Sequence, residues 1–354
     1  MTPRTASPAS FIEVLDRWAT RSPDRAACRF LSFGSAPEHG VTYAELVAHA
    51  RAIGAALQTR VRRGDRVILL YPPSLAFVTA FLGSFHAGAI AVPVYPPDPA
   101  RPGRDFVKLR AIIADAEPAL IVSTAPIHAL VAAAGADAGP LATLPWLETD
   151  TVAPTAAADW RDPGLTDEDL AFLQYTSGST GQPKGVMVSH GNLLHNVDCI
   201  RQVFEDDESS PLVSWLPLYH DMGLIGNLLH GLYVGTSCLL MSPLDFLEQP
   251  VRWLETITRH RAHTSGGPNF AYELCVRRIP PEQRAGLDLS SWRLAFNGAE
   301  PVRRATLERF AATYAPYGFS AAAMFPCYGL AEATLIVSGS DKAAPPRSAA
   351  LDAA

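Results

Sequence analysis

The sequence predicts an α/β fold of layered parallel sheets flanked by helices. Two observations carry it. Arg66–Tyr71 (RVILLY), Ala89–Val94 and Ala119–Ser123 are apolar runs of strand length, and Ser74–His86 and Arg104–Ala116 are helical runs between them. Strand, helix, strand with so short a crossover is the mark of parallel pairing. At 354 residues and 48% hydrophobic content, the chain can bury one large core or two ordinary domains.

The elements follow in order. Phe11, Val14, Leu15 and Trp18 share one helical face, and core packing accounts for them. Pro23 closes that helix. Thr42 and Glu45 have capping-box spacing, and Tyr43, Leu46, Ala50, Ile53 and Leu57 mark the buried face that follows. Gly64-Asp65 is a turn. Pro72-Pro73 ends the RVILLY strand, and the prolines from Pro93 to Pro99 end the next, since they cannot continue a central strand. Residues 132–164 shift to Ala, Gly, Pro, Asp and Thr and predict a loop or loosely packed linker.

Leu170–Leu173 predicts a buried strand, and Ser189–Phe204 a helix capped by Ser189. Further strands are expected at Leu212–Trp215, Thr236–Met241, Arg293–Phe296 and Ala323–Phe325. Gly223–Val234 reads as a buried helix and Phe246–His260 as an amphipathic one. Thr264–Phe270 reads as a glycine turn starting a helix at Pro268. Glycine there allows close approach of a ligand or of a neighbouring strand. The Ala/Pro-rich residues 341–354 predict a disordered tail.

Composition excludes several classes. A formal charge of −6 argues against a nucleic-acid binder. Five scattered cysteines without a C-x-x-C pair suit a reduced cytoplasm and give no zinc or disulfide framework. Met1–Ser10 lacks the basic region and apolar core of a signal peptide. No apolar run approaches the ~20 residues that span a bilayer, so no integral membrane segment is expected.

The chemistry concentrates in Tyr175-Thr176-Ser177-Gly178-Ser179-Thr180-Gly181-Gln182-Pro183-Lys184-Gly185. Three glycines allow sharp turns and close N–H approach, and five hydroxyls and a lysine suit phosphate oxygens. It is not a P-loop: Lys184 lies between Pro183 and Gly185, with no adjacent hydroxyl for magnesium. The alternative is an ordinary polar loop. His220-Asp221 is a dyad of metal-binding type, but no further ligands accompany it, and a helix N-cap at Asp221 explains it as well.

Together with Trp215-Leu216-Pro217-Leu218-Tyr219-His220-Asp221-Met222-Gly223 and Tyr328-Gly329-Leu330-Ala331-Glu332-Ala333-Thr334, this loop resembles the adenylate-forming superfamily. The wording is most similar to the fatty acyl-AMP ligase branch, over about residues 10–340. The resemblance implies the large N-terminal AMP-binding domain of that family, incomplete within residues 1–340. The ribose-binding Asp, hinge and small C-terminal domain would lie beyond residue 354, supplied by more chain or a second chain.

The implied reaction is ATP-dependent conversion of a medium- or long-chain fatty acid to acyl-adenylate, with pyrophosphate released and magnesium required. An acyl carrier protein would be the acceptor. A CoA-ligase acceptor and a non-catalytic remnant are the alternatives. By the resemblance, Thr176, Ser177, Gly178, Ser179, Thr180, Gly181 and Lys184 cover the β- and γ-phosphates. His220 orders the acyl carboxylate and α-phosphate, Gly298, Ala299 and Glu300 lie against adenine, and Tyr328 stacks on it beside Gly329. Glu332 binds magnesium, and Gly223, Gly267 and Phe270 border the acyl chain. Ala331 stands where the wider superfamily has a phosphate-binding Thr, as in the acyl-AMP ligase branch, and Thr334 is a substitute donor.

Overall fold

The structure is a computed structural model that describes residues 8–33, 38–97, 102–176, 183–342 and 344–348. It divides into two compact units. The first comprises Met1–Ala27, His39–His195 and Leu218–His220, and the second Cys28–Glu38, Asn196–Pro217 and Asp221–Ala354.

The first unit is built on a six-stranded sheet. Its strands run, edge to edge, Trp146–Glu148, Leu120–Ser123, Arg66–Leu70, Ile90–Val94, Leu170–Thr176 and Lys184–Ser189. All neighbours are parallel except the last pair. The helix Leu75–Ala87 is buried along almost its whole length, which is why its sequence is apolar all round. It meets Tyr43–Gln58 through two glycines. A Cβ on Gly54 would lie 2.7 Å from His86 Cβ, and one on Gly83 2.7 Å from Ile53 Cγ2. The Thr42–Glu45 capping box forms as expected.

Two expectations in this unit are corrected. Residues 132–164 are irregular but not loose. Trp146–Glu148 joins the sheet, Trp160 Nε1 donates to the His86 carbonyl (2.7 Å), and Gln58 Nε2 donates to the Arg161 carbonyl (2.6 Å). The expected sequence of strand, loop, helix is a hairpin: Lys184–Ser189 returns antiparallel to Leu170–Thr176 before the helix His190–Phe204 begins. Ser189 does cap that helix, its Oγ accepting from Asn192 N while its own N–H donates to Asn192 Oδ1.

The second unit holds a sheet ordered Ile336–Gly339, Met324–Gly329, Leu294–Asn297, Thr264–Gly267, Leu212–Ser214, Cys238–Leu240 and Ala26–Phe30. These strands are parallel except Ile336–Gly339. The expected glycine turn at Thr264 is thus a central strand. The neighbouring strand is what demands glycine: a Cβ on Gly266 would lie 2.2 Å from the Phe296 carbonyl oxygen. The expected helix Phe246–His260 is two helices, Pro243–Glu248 and Val251–His260, broken at Gln249-Pro250. Gly223–Val234 is helical and buried as expected, with a π-helical stretch at Leu224–Leu229. Trp253, Tyr272, Trp292 and Phe310 pack edge to face and stacked, with ring centroids 5.0–6.3 Å apart. In the stretch expected to be disordered, Pro345–Ser348 line a cleft of about 550 Å³ with Val302, Arg304 and Leu307. Among the described residues no helix is long and apolar enough to cross a membrane.

Candidate nucleotide and acyl site

In the second unit, three adjacent parallel strands pair up to one level, with Gly267 opposite Asn297 and Asn297 opposite Pro326, and the third runs on to Gly329. Open α/β sheets bind ligands at such carboxyl ends. The chain at and beyond this level carries Phe270, Gly298–Glu300 and Tyr328–Thr334, so the topology gathers sequence-predicted acyl and adenine residues at one end of the central strands. Direct bonds join them. Phe270 N donates to Glu300 Oε1 (2.6 Å), so this carboxylate caps the helix Asn269–Arg278. Asn269 Oδ1 accepts from Arg303 N (3.0 Å).

The backbone is strained here. Ala299 sits at φ +68°, a region non-glycine residues rarely occupy. Asn297 is fully buried, and neither end of its amide has a partner among the described residues. Phe270 is 43% exposed and sets its ring edge on Trp215 at 6.0 Å. Gly267 and Gly223 have packing reasons of their own. A Cβ on Gly267 would meet the Trp215 ring at 2.6 Å, and one on Gly223 the Pro217 carbonyl oxygen at 2.2 Å.

Tyr328 is 60% exposed on the strand Met324–Gly329, its ring available for stacking. Gly329 is required where the chain folds back, since a Cβ there would lie 2.2 Å from the Leu335 carbonyl oxygen. A 3-10 turn, Ala331–Ala333, follows and exposes Glu332. Ala331 is buried, so the methyl is part of the packing. Thr334 is also buried and lies at φ +72°, ψ −59°, the strained γ-turn region.

Sequence reasoning missed Asn196, which reaches this turn from the helix His190–Phe204. Its Nδ2 donates to the Ala333 and Ile336 carbonyls (3.2 and 3.1 Å), and its Oδ1 accepts from Ile336 N (3.0 Å). No local signal marks it, because its partners lie 137 and 140 residues away.

Glu332 suits a divalent cation. It is an exposed carboxylate with no ion-pair partner among the described residues, and magnesium prefers such oxygen. No group of three His, Cys, Asp or Glu could hold a metal among the described residues. A single carboxylate therefore fits an ion that arrives with nucleotide phosphates. Asp221 begins a helix, its Oδ1 accepting from Met222 N.

In the first unit, Thr176 pairs with Lys184 at the connected end of the hairpin, and Tyr175 lies over Gly185. Ser177, Gly178, Ser179, Thr180 and Gly181 lie outside the described residues. Lys184 is exposed, and no acid pairs with it among the described residues. His220 is exposed too. Its neighbour Tyr219 is anchored, its carbonyl accepting from the buried Gln174 Nε2 (2.9 Å) and its ring packing on Tyr95 at 5.2 Å.

The model of the family described as AMP-binding enzyme matches residues 15–351. The chain is 43% identical over 331 residues to a medium-chain-fatty-acid–acyl-carrier-protein ligase from Moorena producens, covering 93% of this chain and 56% of that one. It superimposes on a fatty acid AMP ligase from Legionella pneumophila with a TM-score of 0.88 and 44% identity, covering 94% of this chain and 57% of the other. A fatty acyl-adenylate ligase from the same organism, in complex with acyl adenylate and pyrophosphate, gives a TM-score of 0.87 at 43% identity, with the same coverage. The chain thus spans a little over half the length of these relatives.

Proposed function

Because the chain belongs to the AMP-binding enzyme family, we propose that the whole protein activates a medium- or long-chain fatty acid as its acyl-adenylate. The fold is that of the large N-terminal domain of adenylate-forming enzymes. We assign residues up to about 340 to that domain, which a small C-terminal domain would complete. An oxygen of the fatty-acid carboxylate attacks the α-phosphorus of ATP. The bond from that phosphorus to the bridging oxygen breaks, and pyrophosphate leaves with the electron pair.

Both reactants are anionic, so the residues must offset repulsion and fix an in-line geometry. Lys184 and the hairpin loop from Thr176 would hold the β- and γ-phosphates. His220 would order the acyl carboxylate against the α-phosphate, with Thr334 as a further donor. Tyr328 would stack on adenine, beside the Gly298–Glu300 backbone and Gly329. Gly223, Gly267 and Phe270 would border the acyl chain. Glu332 would hold magnesium, which when bound neutralises phosphate charge.

One observation carries the reading. Tyr328, exposed on the strand Met324–Gly329, and Glu332, exposed in the turn after it, follow a strand that pairs with the one leading into Gly298–Glu300. The relative's name supports an acyl carrier protein as acceptor, and buried Ala331 supports the same branch. The five cysteines, none of them in a disulfide, support a cytoplasmic setting.

The test is fatty-acid-dependent exchange of pyrophosphate into ATP, with magnesium, on this chain and on the full-length protein. Exchange that saturates with acids of medium or long chain is expected. Its absence from folded full-length protein would leave a non-catalytic remnant. Transfer to CoA in preference to carrier protein would overturn the acceptor.

A further inference from the structure

We infer that Asn196 is a positioning residue for the metal carboxylate: it holds the turn at Thr334 closed and so fixes Glu332 for a nucleotide-bound divalent cation. The inference rests on the reading of Glu332 above. Asn196 is only 6% exposed, and both ends of its amide are spent on one target. The three bonds bracket Thr334-Leu335 from Ala333 on one side and Ile336 on the other. Within the turn, Leu330 N donates to the Leu335 carbonyl (2.9 Å) and Thr334 N to the Ala331 carbonyl (2.9 Å). Asn196 is the side chain that ties this closed loop to a helix.

The clamp is needed because the turn opposes itself. Thr334 is β-branched, and φ +72°, ψ −59° is costly for such a residue. Surroundings must over-determine a conformation of this kind for it to persist. Were the turn to relax, Ala333 would move first, and the adjoining Glu332 carboxylate would lose its fixed direction. Asn196 is buried and acts through the turn, as an outer-shell group orients a metal ligand.

Asn196→Asp in the full-length protein isolates the effect. The acid keeps the size and the acceptor for Ile336 N, but presents an oxygen to the two carbonyls that need a donor. Binding of manganese to the ATP complex, read by electron paramagnetic resonance, should weaken about tenfold, as outer-shell losses do. ATP affinity in EDTA should stay within about twofold of wild type, and the magnesium concentration for half-maximal exchange should rise with the manganese constant. Combined with Glu332→Gln, Asn196→Asp should add no further loss, because the two act on one ligand.

Unchanged manganese affinity, or an equal loss of ATP affinity with and without metal, would overturn the assignment and leave Asn196 a structural residue. If Glu332→Gln itself leaves manganese binding intact, the reading of Glu332 fails instead. Thr334→Gly covers a variant too unstable to study. Glycine accepts φ +72° freely, so in a Thr334→Gly background Asn196→Asp should weaken manganese binding much less than it does in the wild type, and an equal loss in both backgrounds counts against the clamp.

Discussion

Lys184 and Glu332 are opposite charges with the same local status: each is exposed, and neither has an ionic partner among the described residues. A surface charge left unpaired costs the fold nothing to remove, which makes Lys184 a clean probe. Lys184→Ala should leave the melting temperature unchanged. It should raise the KM for ATP and for pyrophosphate about tenfold to a hundredfold, the worth of a hydrogen bond to a charged group. Equal weakening of the fatty-acid KM would place the lysine elsewhere. At this scale the sequence was legible where strand signals were local. The strand expected to lead into Gly298–Glu300 and the strand expected before Tyr328–Thr334 are neighbours, with Asn297 opposite Pro326. It was illegible where a side chain acts at a distance, as Asn196 does, and where a residue serves packing. Glu300 gave no hint that its carboxylate accepts from Phe270 N, thirty positions earlier, in the first turn of a helix.

The elements themselves were read well when their signals were capping residues or apolar periods. Thr42 and Glu45 form their box, and Ser189 caps the helix His190–Phe204 as expected. Glycine misled. Gly266-Gly267 looked like a turn because glycine is the common turn residue, yet it lies mid-sheet where Phe296 and Trp215 leave no space for a Cβ. The same geometry gives a prediction. Gly266→Ala must push a methyl into a backbone carbonyl 2.2 Å away, and a backbone atom cannot swing aside as a flexible side chain can. The expected cost is about 3 kcal/mol or more, measured as a fall in urea midpoint. A true turn would tolerate alanine with little loss. The strand Lys184–Ser189 was missed for a different reason. As an edge strand it leaves Met187 67% exposed, so its apolar alternation does not report burial.

For the whole molecule, the α/β class and parallel sheets followed from three short apolar strands. The division into two units did not, because the chain crosses between them after Ala27, Glu38, His195, Pro217 and His220 with no change of composition. The units also differ in how acid acts on them. In the second, burial alone would raise Asp206, but bonds from His230, His263 and Thr264 outweigh it and hold the carboxyl well below its usual range. Its contribution is present above the usual carboxylate pKa and is lost only in strong acid. In the first unit, burial lowers His190 and His86 each to about 4, with Asp169 offsetting little of the effect on His190. A depressed histidine stabilises above its unfolded value near 6.5, and that stability drains away as pH falls through 4. For His190 the cause is geometric as well: its Nδ1 accepts from Phe11 N (3.3 Å), and a proton there would set two N–H groups against each other. Each histidine is worth about 3 kcal/mol over that window. His190→Asn places an amide oxygen close to where Nδ1 sits, accepts the same bond and does not titrate. The variant should lose markedly less stability than wild type between pH 7 and 5, with the hydrogen-exchange protection of residues 75–94 persisting further into acid. Identical pH dependence in the two proteins would mean that His190 is not a source of the acid sensitivity.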